Sequence, residues 1–119
     1  MFRLKEDRNN QVIPNMKGGN GEFRLEHIIS GNEELGMKGR LFAKGTLPPG
    51  SSVGMHKHEG DMEICYFLSG TGLVKDEEDG KFQVKAGDVN ICFDGKSHEI
   101  INNGDEDLVY TVLVLFTET

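Results

Sequence analysis

The feature that most limits the fold of this chain is its punctuation. From Phe23 onward, short apolar runs are broken every 8 to 12 residues by clusters such as Gly31-Asn32, Pro48-Pro49-Gly50, Gly60-Asp61, Asp79-Gly80, Asp94-Gly95 and Asn103-Gly104. These residues tolerate positive φ or preset a turn. No stretch between them carries a sustained helical period, and short strands at this spacing are the pattern of a sandwich or barrel. The expected strands are Phe23–Ile29, Met37–Leu47, Val53–His58, Met62–Leu68, Gly72–Lys75, Phe82–Val84, Val89–Phe93, His98–Ile101 and Leu108–Thr117. Residues 1–22 are polar and rich in Gly and Asn, and read as an irregular N-terminal arm. The expectation is all-β, with residues 1–119 forming one domain.

Composition narrows the function. The chain has 119 residues, 20 acidic and 13 basic, for a net charge of −7. An acidic balance without a Lys/Arg cluster argues against nucleic acid and against anionic membrane surfaces. No apolar stretch approaches the roughly 20 residues that a membrane-spanning helix needs. The N-terminus is charged and has no apolar core of a signal peptide, and two cysteines are too few for a disulfide scaffold. A cytoplasmic location is therefore expected.

The chemistry lies in the histidines. On a strand, residues i and i+2 share a face, so His56 and His58 present two imidazoles side by side. After a turn at Glu59-Gly60-Asp61, Glu63 can return beside them, and His98 offers a third imidazole after the Asp94-Gly95 turn. Burying these four without a cation would be costly, because an ionised carboxylate in a barrel interior costs several kcal/mol unless it is paired. A divalent metal removes that cost, a metal-free polar pocket being the alternative. His27 reads as a packing or surface residue.

The two histidine segments resemble the signature motifs of the cupin family. In the first, G-x5-H-x-H-x4-E-x6-G, every fixed position is matched, by Gly50, His56, His58, Glu63 and Gly70. In the second, G-x5-P-x-G-x2-H-x3-N, the matches are Gly87, Gly95, His98 and Asn102, with Phe93 standing where the family has Pro. The motifs span 50–70 and 87–102, with 16 residues between them. The resemblance implies a double-stranded β-helix, or jelly-roll barrel, of two antiparallel sheets. It also implies one divalent transition metal on His56, His58, Glu63 and His98. Manganese, iron, nickel, cobalt and zinc all suit three imidazoles and a carboxylate, and octahedral geometry would leave two adjacent positions for an oxygen-rich ligand.

The expected function is a small metal-dependent enzyme acting on a carboxylate, enediol or sugar derivative, by decarboxylation, dioxygenation or isomerisation. The alternative is a non-catalytic module or sensor that binds metal and a small ligand. No catalytic acid or base can be assigned, since neither Glu59 nor Glu99 has a clear strand face. Cys65 shares parity with Glu63 and is expected to pack inside. The face of Cys92 is open, and Tyr66 points away from the metal. Arg40 and Lys44 share parity and read as solvated outer-face residues, the alternative being that one of them reaches an anionic substrate in the barrel mouth. Asp76-Glu77-Glu78-Asp79 reads as a solvated hairpin tip. The last strand is apolar at both parities, which suggests a second covering layer. Together with the family resemblance, this points to a homodimer, in which the N-terminal arm could lie along a partner's edge strand.

Overall fold

The computed structural model describes residues 1–118; position 119, the last of the expected domain, lies outside them. Ten strands form two antiparallel sheets. The strands are β1 (Asn9–Pro14), β2 (Glu22–His27), β3 (Gly39–Leu47), β4 (Ser52–Lys57) and β5 (Asp61–Ser69), then β6 (Thr71–Asp76), β7 (Gly80–Lys85), β8 (Val89–Cys92), β9 (Ser97–Ile101) and β10 (Leu108–Phe116). One sheet has the order β1-β2-β3-β10-β5-β8 and the other β4-β9-β6-β7. All nine expected strands are present, within two residues at most ends. No helix among the described residues is long and apolar enough to cross a membrane.

Strict alternation sets which side chains enter the space between the sheets. On β10, Leu108, Tyr110, Val112 and Val114 are buried, while the residues between them are half-exposed. On β5 the inward series is Asp61, Glu63, Cys65 and Phe67. The series thus starts polar and ends apolar. Phe67 packs on Tyr110 with ring centroids 5.1 Å apart, and Phe23 stacks on Tyr110 from the other side at 5.7 Å. Each such aromatic contributes about 1.5–3 kcal/mol by leaving water. The inward face of β5 therefore runs from the acidic pair Asp61 and Glu63 to the aromatic packing around Phe67, and Phe23 and Tyr110 reach the cavity that holds the histidines.

Three features differ from the sequence expectation. The N-terminal arm is not irregular throughout: β1 pairs with β2 of its own chain, from Asn9↔His27 to Pro14↔Glu22. Its polar residues hid the strand because only Ile13 is half-buried and the rest face outward. The last strand is not buried on both faces within the chain. Its outer residues join an apolar row across four strands, in which Phe42 on β3, Leu113 on β10, Ile64 on β5 and Ile91 on β8 stand in register. Finally, β4 carries an irregularity between Val53 and His56 in its pairing with β9. That break lets Val53 and His56, which have opposite parity, both face inward; re-aiming a side chain is a common use of a bulge beside a site.

The segment from Asn15 to Gly21 is fastened to β4. Asn20 donates its amide to Ser52 Oγ at 2.9 Å, Ser52 returns its own amide to the Asn20 carbonyl, and Glu22 donates to Ser51 Oγ. The backbones approach closely at Gly54, where an added Cβ would collide with the Lys17 carbonyl and the Gly19 amide. Gly54→Ala should therefore cost about 1–3 kcal/mol of stability by overpacking. Denaturant unfolding checks this, with Gly54→Ala falling below the parent protein.

Candidate metal centre

The site bridges the two sheets. His56 lies on β4 and stands in register with His98 on β9, while Glu63 comes from β5 in the opposite sheet. His58 follows β4 directly, and its backbone is strapped to the second-motif turn. His58 donates its amide to the Lys96 carbonyl at 2.9 Å and accepts from the Gly95 amide at 2.6 Å. Asp94 adds a second strap, accepting from the Gly60 amide and the Thr117 hydroxyl. Phe93, at the family's proline position, is exposed, and Lys96 closes the turn by donating to its carbonyl. The motif's final Asn102 is fully buried, and its side chain donates to the Leu47 and Glu106 carbonyls and accepts from Gly104. It is a structural clamp.

One potential ligand atom from each of His56, His58, Glu63 and His98 lies within 4.8 Å of the others, so the four could hold a metal ion. The neighbours of the imidazoles determine what those atoms are. His56 Nδ1–H donates to the Gly54 carbonyl at 2.7 Å. His58 Nδ1–H donates to Asp61 Oδ1 at 2.8 Å. His98 Nδ1–H donates to Asn90 Oδ1 at 2.8 Å, and the Asn90 amide is oriented because its Nδ2 donates to Asp76 Oδ2. With each Nδ1 committed as a donor, a neutral imidazole leaves its Nε2 as a lone pair. The Nε2 atoms of His56 and His98 face each other at 3.2 Å, and that of His98 is 3.3 Å from Glu63 Oε1. His58 Nε2 stands 3.2 Å from Glu63 Oε2 without hydrogen-bond geometry, the one orphaned buried side-chain atom among the described residues. Four acceptors converge with too few protons between them. A cation fits.

The electrostatics agree. Burial opposes a charge on Glu63, yet positive charge on the facing His58 and His98 rings, with the Cys65 thiol donating at 3.1 Å, holds its carboxyl well below the usual range, the part that a cation among the rings would also play. Burial pushes His56 below the ordinary histidine value. His58 is raised by the Glu63 carboxylate, against burial and with help from Asp61. Burial drives the Cys65 thiol far up and pushes Cys92 up to about 12, so neither is a thiolate.

A cavity of about 290 Å³ opens over this floor. The fold decides between the two readings of Arg40 and Lys44. Arg40 lines the cavity and donates through Nε to Asp61 Oδ2 at 3.0 Å, while Lys44 does face outward, near Glu26. Asp61 carries no functional signal in the sequence, where it sits in a turn-like Gly-Asp pair, and only the fold shows it buried and bridging His58 to Arg40. Asp76 is likewise more than a solvated tip, since it fixes Asn90 behind His98. Cys65 and Cys92 are both buried and free, and His27 stays outside the cluster, bonded to Gln11. Glu59 is exposed beside Lys57, Glu99 pairs with Lys75, and Tyr66 is exposed.

Comparison with known proteins gives the family. The cupin domain model matches residues 43–115, and the chain belongs to the cupin family. It is 48% identical over 104 residues to a Thermotoga maritima protein named oxalate-binding protein, covering 87% of this chain and 84% of that one. A crystal structure from Thermotoga maritima, described as a predicted oxalate decarboxylase, superposes with a TM-score of 0.90 at 42% identity, over 98% of this chain and 99% of that one. KdgF from Halomonas sp. shares the fold at 15% identity, with a TM-score of 0.72 over 97% and 94% of the two chains.

The pKa shifts imply opposite pH trends with and without metal. In the chelated protein, a proton on His58 between Asp61 and Glu63 stabilises the fold. Because its value is raised, that contribution is complete below the ordinary histidine value and fades as pH rises through the raised one. A metal held by the cluster would instead compete with protons and bind better as pH rises. The melting-temperature gap between metal-loaded and chelated protein should therefore widen from about pH 6 to about pH 8. A pH series of thermal melts measures it; a constant gap contradicts the assignment.

Proposed function

We propose that this cupin binds a small oxygen-rich dicarboxylate, with oxalate as the first candidate, at a divalent transition metal held by His56, His58, Glu63 and His98. The observation that carries this reading is the convergence of three Nε2 lone pairs and one carboxylate at the floor of an open cavity. The name of the Thermotoga relative supports oxalate as the ligand. The bound ion would supply a Lewis-acidic centre for paired carboxylate oxygens. The chain's own residues do the rest. Asp61, Gly54 and Asn90 hold the imidazole rings in one tautomer, and Cys65 steadies Glu63.

Binding is favoured over turnover by what the remaining carboxylates do. Of those lining the cavity, Asp61 is already held between His58 and Arg40, and Glu59 lies in solvent beside Lys57. Neither is a free acid or base poised over the floor. Calorimetric titration of oxalate should show one site on metal-loaded protein and none after chelation or in His98→Ala. Carbon dioxide release from the same samples should be nil. Equal binding with and without metal would contradict the proposal, and steady release would replace binding by decarboxylation.

We further infer that the apolar row of Phe42, Leu113, Ile64 and Ile91, flanked by exposed Tyr66, Val89 and Phe93, is covered by a second copy. The row is half-exposed at Phe42, Leu113 and Ile64 and exposed at Ile91, and an apolar face of this extent marks an interaction surface. Sedimentation should give a homodimer, and Leu113→Asp should yield monomers. A parent protein sedimenting as a monomer at micromolar concentration refutes it. Two free buried thiols fit a reducing compartment such as the cytoplasm.

A further inference from the structure

The cavity's charge is nearly self-cancelling. Its lining contains three cations, Lys17, Arg40 and Lys57, and three carboxylates, Glu59, Asp61 and Glu63. Two of the cations are already spoken for: Arg40 is 3.0 Å from Asp61, and Lys57 is 3.4 Å from Glu59. Lys17 makes no ion pair among the described residues. With a divalent ion on the floor and Glu63 ionised, the centre carries about one positive charge, and Lys17 adds a second. The cavity of an acidic protein, with net charge −7, would then present two positive charges to its ligand.

The backbone of Lys17 is held in place at the edge of the cavity, where the residue is exposed. Its backbone is left-handed, with φ 55° and ψ 32°, a conformation that non-glycine residues rarely adopt. Asn15 beside it is also left-handed, with φ 49°. The turn is held by Gly18 donating to the Asn15 carbonyl, Gly19 donating to the Met16 carbonyl, and Asn15 Nδ2 donating to the Gly19 carbonyl at 3.1 Å. The Lys17 carbonyl lies against Gly54, two residues before His56, so the turn is pressed onto the strand that carries the histidine. Strain of this sort persists where the surroundings over-determine it, commonly at ligand sites. Met16, next to it, also lines the cavity.

We propose that Lys17 sets the charge of the ligand, making the site selective for small dianions over monoanions of the same chelating shape. The inference rests on the metal-dependent binding proposed above and adds to it the residue that reads ligand charge. A charge-assisted contact at a half-open rim is worth about one factor of ten in affinity. Removing Lys17 would leave the metal site untouched but lower the cavity to one positive charge.

The test is calorimetry on manganese-loaded protein with oxalate and with glycolate, its singly charged analogue, for the parent, Lys17→Met and Lys17→Arg. Metal content is measured on every sample. The expected result is full metal content throughout, with the oxalate-to-glycolate affinity ratio falling about 10-fold in Lys17→Met and restored in Lys17→Arg. The oxalate affinity of the parent should also fall more steeply with added salt than that of Lys17→Met. An unchanged ratio in Lys17→Met overturns the role of Lys17 while leaving metal-dependent oxalate binding in place. A parent that binds neither anion overturns both. A parent that prefers glycolate overturns the dianion selectivity and the choice of oxalate together.

Discussion

Everything distinctive in this structure follows from three imidazoles whose Nδ1 protons are already given away. Once Gly54, Asp61 and Asn90 accept those protons, the three Nε2 atoms can only be lone pairs when the rings are neutral. Those of His58 and His98 stand against the Glu63 carboxylate, itself an acceptor, and that of His56 against His98. A buried carboxylate among acceptors is costly by several kcal/mol unless something positive joins it. The metal-free chain can partly meet that demand with a proton on His58, as the raised value of that ring indicates. A divalent ion meets it fully.

The barrel is arranged to hold that conflict. The pairing of β4 with β9 sets His56 opposite His98, and the irregularity in β4 turns His56 inward. Glu63 arrives from the other sheet, so the site joins the two layers, and Phe23 and Tyr110 of the aromatic cluster line the same cavity. The support continues outward. Arg40 backs Asp61 behind His58, and Asp76 backs Asn90 behind His98, so two of the three rings have a second residue fixing their hydrogen-bond partner. Such partners fix ring orientation and raise ligand basicity. The N-terminal segment then closes one wall, bringing Met16 and Lys17 to the cavity.

Much of this was legible in the sequence because strand period and turn chemistry are local. Glycine and Asx clusters marked nearly every strand end, and the i, i+2 pairing of His56 and His58 announced a shared face. Alternation also placed Cys65 inside beside Glu63, where its thiol donates to the carboxylate. What was not legible depends on distant contacts. β1 is polar and earns its place only by pairing with β2. Arg40 and Lys44 share parity on one strand, so the sequence alone does not separate them, and only the fold brings the Arg40 guanidinium to Asp61 at the cavity. Asp61 and Asp76 resemble ordinary turn residues until the fold sets each behind a histidine. A break in register, such as that between Val53 and His56, leaves no mark in hydrophobic period.

The most direct test of this account is anomalous diffraction from crystals grown with a divalent transition metal. The account predicts a single strong peak at about 2.0–2.3 Å from Nε2 of His56, His58 and His98 and from a Glu63 oxygen, with each Nδ1 still bonded as described. A cluster without a peak, its rings rotated so that an Nδ1 proton points at Glu63, would contradict it.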